Sequence, residues 1–267
     1  MRQRFILLHG TLLTADSLIA VADVLAAHGH DIVIERVGVE ASLKAECVRV
    51  FRHYQALQSS QTLATWFVGH SLGAILALNL AHLFKHELGH ATTDSSYRVG
   101  LVLLAGNGRA MTEANGALRS SQLNTLEKMP AFSAAFSAQS STESASLLAQ
   151  FGAAALTVAG ISLTSAAGLA ALAQAKITPP IRFRHQTHYA VLRPDIITQA
   201  ADNTFGDMPI LAISAELDVL CSPQHGEEIA QLSRISQHIC LPQATHFFPM
   251  THASLVAASI LEFAAQN

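Results

Sequence analysis

Between two apolar runs, Ala64-Thr65-Trp66-Phe67-Val68 and Ala74-Ile75-Leu76-Ala77-Leu78, the chain reads Gly69-His70-Ser71-Leu72-Gly73. The first run reads as a buried strand and the second as the start of a helix. A serine on so sharp a strand-to-helix turn has its hydroxyl pushed out over the end of a sheet. Glycines stand on both sides because side chains there would collide. The amide of Leu72 opens the helix, so it points at any negative charge that forms beside Ser71.

The rest of the chain supplies the sheet that such a turn needs. Phe5-Ile6-Leu7-Leu8 is a short continuous apolar run that ends in His9-Gly10-Thr11, a central parallel strand and its loop. Residues 31–37, 99–104, 209–214 and 237–241 read as further strands. Helical spacing falls between them, at 16–27, 42–57, 224–232 and 253–265. This alternation predicts an α/β fold, a mostly parallel sheet with helices on both faces. From 108 to 205 the alternation stops and the composition turns helical and irregular. The expectation is a core built from 1–107 and 206–267, with a helical cap inserted at 108–205.

Composition excludes several classes. The chain has 267 residues, half of them apolar and 13% charged, which suits one sizeable domain with an insertion. A net charge of -3 gives no basis for nucleic-acid binding. The three cysteines, Cys47, Cys221 and Cys240, are too few and too scattered for a disulfide framework, and none has metal-ligand spacing with another in sequence. A reducing compartment follows. The N-terminal apolar run is too short for a signal peptide, so the expected location is cytoplasmic. Residues 144–175 carry no charge, but they are mostly Ala, Ser, Thr and Gly with Gln150 and Gln174 among them. They read as packed helices and not as a membrane span.

A serine hydroxyl is a poor nucleophile without a base, and the base needs an acid to orient it. On an open parallel sheet these groups must come from loops at the carboxyl ends of strands. Asp218 stands just past the 209–214 strand, with Glu216 as a rival acid, and His246 stands just past the 237–241 strand. The Thr11 amide, in the loop after the first strand, is the natural partner for Leu72 as an oxyanion donor.

Together, Leu7-Leu8-His9-Gly10, Gly69-His70-Ser71-Leu72-Gly73, Glu216-Leu217-Asp218 and Thr245-His246-Phe247 resemble the α/β-hydrolase superfamily, of the type with a lid inserted after the fourth strand. The resemblance implies Ser71 as nucleophile, His246 as base, Asp218 as acid, and backbone oxyanion donors at Thr11 and Leu72. It implies no cofactor. Ala215 and Thr245 stand where the family often has glycine. The chain begins directly at the His-Gly strand, so a minimal core of about six strands is expected.

The activity so implied is hydrolysis of a carboxylic ester through an acyl-enzyme, with thioesters, amides, lyase or C–C chemistry as alternatives on the same groups. In size and lid position the chain is similar to esterases that cleave the methyl ester of pimeloyl-acyl carrier protein. Arg182, Arg184 and Arg193 form a basic stretch that would suit an acidic carrier protein or a substrate carboxylate. Two other classes compete. His86-Glu87-Leu88-Gly89-His90 matches a zinc-peptidase motif, although Ser96 stands where a third histidine would. A non-catalytic binding protein on the same scaffold is the other, and the intact Ser, Asp and His argue against it.

Overall fold

A computed structural model describes residues 1–60, 63–87, 99–128, 162–199 and 204–267, and 149–157 without 151 and 155. Six strands form one parallel sheet: β1 (Arg4–Leu8), β2 (Asp31–Glu35), β3 (Thr65–His70), β4 (Val99–Leu104), β5 (Ile210–Ala215) and β6 (Ser236–Leu241). Their order is β2-β1-β3-β4-β5-β6. The chain therefore steps outward from β1 to β2, returns across β1 to β3, and continues the other way. The carboxyl ends of β1 and β3 flank the switch point, where an open sheet leaves a crevice.

Strand burial follows from this order. β1, β3 and β5 are buried along their whole length, as continuous apolar runs require, whereas the edge strands β2 and β6 are half-exposed. Alternate residues feed two core layers. Phe5, Leu7, Trp66, Val68, Val102 and Leu104 pack with α1 (Ile19–Ala27) and the closing helix, Ala253–Gln266. Ile6, Leu8, Phe67, Leu101 and Leu103 pack with α2 (Leu43–Ser60) and α3 (Leu72–Glu87). The expected helix at 16–27 opens instead as a single 3-10 turn, Ala15–Leu18, before α1. β2 also stops short of the expected 37, at Glu35. The chain leaves the sheet there, and Gly38 turns at φ +92 with its amide on the buried Glu46 carboxylate, 3.2 Å away.

Between β4 and β5 the described helices include α4 (Glu113–Lys128), α5 (Ala166–Ile177), α6 (Pro180–Leu192) and α7 (Ile196–Gln199). α6 lies on the β2 loop through polar contacts. Tyr189 donates to the Glu40 carbonyl, and the Gln186 amide donates to the Val37 carbonyl at 3.0 Å. No helix among the described residues is long and apolar enough to cross a membrane.

At the β3–α3 turn, backbone packs closely on backbone. A Cβ on Gly73 would overlap the Leu8 carbonyl oxygen, and one on Gly69 would overlap the Gly73 carbonyl. In both cases the obstacle is backbone, which cannot rotate away. Gly73→Ala should therefore lower stability by ~3 kcal/mol or more, at or above the upper end for overpacking, read as the shift in a urea unfolding midpoint.

Candidate active site

Ser71 has φ +54, in the left-handed region that a side-chain-bearing residue seldom occupies. Its amide donates to the Leu104 carbonyl of β4 at 2.9 Å. The turn is thus braced by β1 on one side and β4 on the other. Leu72 is the first residue of α3, so its amide has no carbonyl four residues back within the helix. A Cβ added to Gly10 would lie 3.3 Å from Ser71 Cβ, so the loop carrying Gly10 and Thr11 runs directly beside the serine.

Asp218 and His246 come to the same point from the ends of β5 and β6. Asp218 Oδ2 lies 2.7 Å from His246 Nδ1, and His246 Nε2 lies 3.0 Å from Ser71 Oγ. A carboxylate only accepts, so Nδ1 carries the ring proton and Nε2 presents its lone pair to the hydroxyl. The other carboxylate oxygen, Oδ1, accepts the amides of Leu220 at 2.8 Å and Cys221 at 2.9 Å, which fixes the carboxylate plane. Both Asp218 and His246 are buried. Glu216, the rival acid, is exposed, and its carboxylate accepts the Gln243 amide instead.

Two glutamines that the sequence does not single out as site residues hold the loop opposite. The Gln186 carbonyl, on α6, accepts the amide of Leu12 at 3.0 Å, and Leu12 has φ +59. The Gln174 carbonyl, on α5, accepts the Thr14 amide at 3.0 Å. Both glutamines are buried. Beside them Leu13 and Phe247 form an apolar cluster with Leu156 and Ala171, and Leu163, Leu172, Leu220 and Met250 pack against it. Residues adjoining the Thr11 loop, Asp218 and His246 thus share one apolar wall with the segment between β4 and β5.

Arg182, Arg184 and Arg193, the candidate docking residues, lie on α6 and at its C-terminal cap. Arg193 donates to the Arg109 carbonyl at 2.6 Å and to the Ala190 carbonyl at 3.2 Å. Arg182 and Arg184 lie on α6 about 200° apart around its axis. Burial, and then the nearby Arg36, push the Arg182 guanidinium below its ordinary value, while Glu46 opposes them. Of the zinc motif, His86 and Glu87 lie in the last turn of α3, and His90 lies outside the described residues.

The sequence model of the alpha/beta hydrolase family matches residues 5–259. No curated protein sequence matches the chain. Among solved structures, a thermophilic esterase from Thermogutta terrifontis superposes with a TM-score of 0.73 at 15% identity, over 99% of this chain and 90% of that one. The enol-lactonase from Burkholderia xenovorans LB400 gives 0.70 at 13% identity, over 99% and 92%. MenH from S. aureus gives 0.67 at 14% identity, over 99% and 94%. At these identities the likeness is one of fold.

Two further histidines flank the site. His9 is buried, with Nδ1 donating to the Gly10 carbonyl at 3.0 Å and Nε2 accepting the Val37 amide at 3.0 Å. His70 is buried, with Nε2 donating to the His246 carbonyl at 2.9 Å. Burial lowers His9 from 6.5 to about 4. Burial, and then the neighbouring His246, lower His70 from 6.5 to about 3. In the unfolded chain both bind protons near 6.5, whereas in the fold they stay neutral until much lower pH. Between those values the unfolded state holds more protons, so stability rises with pH. It is fully present above about pH 6.5 and lost as pH falls toward 4. Each histidine contributes up to ~1.4 kcal/mol per pH unit in that window. Urea unfolding at pH 7 and pH 5 should show the loss, and His9→Gln should reduce the slope between them by up to that amount.

Proposed function

The chain belongs to the alpha/beta hydrolase family, and from that membership we propose that it is a serine-dependent carboxylic-ester hydrolase. The observation that carries this reading is the continuous hydrogen-bonded line Asp218–His246–Ser71, with distances of 2.7 and 3.0 Å. Ser71 Oγ attacks the ester carbonyl as its proton passes to His246 Nε2. Asp218 holds the ring in the required tautomer and stabilises the imidazolium. The carbonyl oxygen, now negative, lies between the amides of Thr11 and Leu72. Collapse expels the alcohol, which takes the proton from His246. A water then attacks the acyl-enzyme by the same route and releases the acid.

Residues 108–205 act as the cap, and the wall of Leu13, Leu156, Ala171 and Phe247 favours an apolar acyl group. An ester is preferred over the other bonds this machinery can cleave because the structural neighbours include an esterase and an enol-lactonase. A pimeloyl ester on an acyl carrier protein is the narrower candidate substrate. Its acidic carrier would meet the basic stretch of Arg182, Arg184 and Arg193, on and just past α6.

Hydrolysis of p-nitrophenyl esters across acyl lengths tests the reading. Ser71→Ala should lose ~10⁴-fold or more in kcat, and Asp218→Asn a loss of about the same order, with a chelator leaving the parent active. Turnover that persists in Ser71→Ala and disappears with chelator would overturn it in favour of metal-dependent chemistry.

A further inference from the structure

Asp218 sits three residues before Cys221, and one turn presents both. Oδ1 of Asp218 accepts the amides of Leu220 and Cys221, curling the chain back on the carboxylate. The Cys221 thiol is thereby brought to the acid and base. One oxygen of Asp218, one ring nitrogen of His246 and Sγ of Cys221 all lie within 4.8 Å of one another. Asp218 and His246 are buried, Cys221 is half-buried, and Cys221 is in no disulfide.

Thiolate, imidazole and carboxylate are the donors that suit zinc and similar thiophilic divalent ions. Tetrahedral zinc, with bonds of ~2.0–2.3 Å, sets its donors about 3.3–3.7 Å apart, so Asp218 Oδ2 and His246 Nδ1, now 2.7 Å apart, open slightly while Cys221 Sγ draws in by no more than ~1.5 Å. The half-buried side of the cluster leaves a fourth position to water. We propose that Asp218, Cys221 and His246 form an inhibitory site for Zn²⁺ or a related thiophilic cation.

The chemistry of inhibition follows from the ring. The nitrogen facing Asp218 is Nδ1, which carries the proton of the neutral imidazole. A cation bound there displaces that proton to Nε2, and the Cys221 thiol gives its own proton to solvent. Nε2 then carries a hydrogen and has no lone pair for the Ser71 proton. The cation also takes the Asp218 oxygen that holds the ring. Metal binding is independent of the reaction catalysed, and the loss of activity rests on the ester-hydrolase reading above. The sense is opposite to a zinc peptidase, since here a chelator restores activity.

The experiment titrates metal-free protein with Cd²⁺ and with Zn²⁺, using the parent, Cys221→Ser, Cys221→Ala and Cys240→Ser. One Cd²⁺ per chain should bind with an ultraviolet thiolate-to-cadmium band. That band should be absent from both Cys221 variants and kept in Cys240→Ser. Zn²⁺ should inhibit ester hydrolysis by the parent, and EDTA should reverse it. The inhibiting concentration should rise at least about tenfold in the Cys221 variants, each compared with its own metal-free rate. A band that survives in the Cys221 variants, the absence of any band in the parent, or equal zinc inhibition with and without the thiol would each overturn the proposal. The cadmium titration reads the site without turnover, so failure of the ester reading and failure of this one are separate results.

Discussion

Ser71 is held in a left-handed backbone conformation by main chain on both sides, and the geometry of the whole site depends on that constraint. Leu8 of β1 leaves no room for a Cβ on Gly73, and the Gly73 carbonyl leaves none on Gly69. The Ser71 amide is tied to Leu104 of β4. The serine therefore cannot relax without separating α3 from the three central strands it packs on. A backbone in this region costs roughly 1–3 kcal/mol, which a surface turn would not retain. Here the cost is offset by the burial of β1, β3 and β4 on both faces, and the result is a hydroxyl fixed at the switch point of the sheet. The register does the rest. Leu8 pairs with Gly69, so the loop after β1 leaves the sheet at the height of the serine.

The loop after β1 would otherwise have little to hold it, since Leu12 also has a positive φ. Its amides are satisfied from above, by Gln186 on α6 and Gln174 on α5. A buried glutamine that lost such a partner would leave both groups unpaired, at about 1–3 kcal/mol each. This makes the helices between β4 and β5 part of the site's framework and not merely its cover. Gln186 spans two loops, accepting from Leu12 and donating to Val37, and so locks the ends of β1 and β2 to the same helix. Glu46 anchors that helix from the other side. Its carboxylate accepts the amides of Gly38 and Glu40, lies 3.3 Å from the Tyr189 hydroxyl, and pairs with Arg49 at 3.0 Å.

The strands are legible in the sequence because parallel strands buried on both faces must be continuous apolar runs, and four of the six are. The edge strand β2 is read too long, since Arg36 and Val37 continue its pattern while the pairing with β1 ends at Glu35. The convergence of Ser71, Asp218 and His246 is legible through one rule, that chemistry on such a sheet gathers at strand carboxyl ends. The same rule cannot find Gln174 and Gln186. A glutamine on a helix has no periodic signature of burial, and its partners are more than a hundred residues away in sequence. Nor does the clustering of Arg182 and Arg184 in sequence give their placement, since residues two apart on α6 stand about 200° apart around its axis. A helix spreads neighbours around its axis, and a guanidinium turns as readily to nearby carbonyls as to a partner. Cys221 is invisible for a related reason. It has no metal spacing with any other cysteine, and its neighbours in the fold, Asp218 and His246, come from two strand ends.

Fourteen histidines make the choice of a base a real question for this chain, and hydrogen-bond connectivity discriminates among those around Ser71. His9 has both ring nitrogens committed to backbone, one as donor and one as acceptor, so it has no lone pair for a substrate proton. His70 adjoins Ser71 in sequence, yet its Nε2 donates to the His246 carbonyl and its Nδ1 is buried without a hydrogen-bond partner, so neither nitrogen meets the serine hydroxyl. Burial keeps both rings neutral across the range in which an ordinary histidine titrates. That neutrality has a use. A cation at His70, whose ring centroid lies 5.2 Å from that of His246, would oppose any positive charge on the His246 ring. Neutral His9 and His70 instead act as rigid spacers, and His70 fixes the backbone of His246 itself. Of these three rings, His246 is the one with a carboxylate on one nitrogen and a hydroxyl on the other.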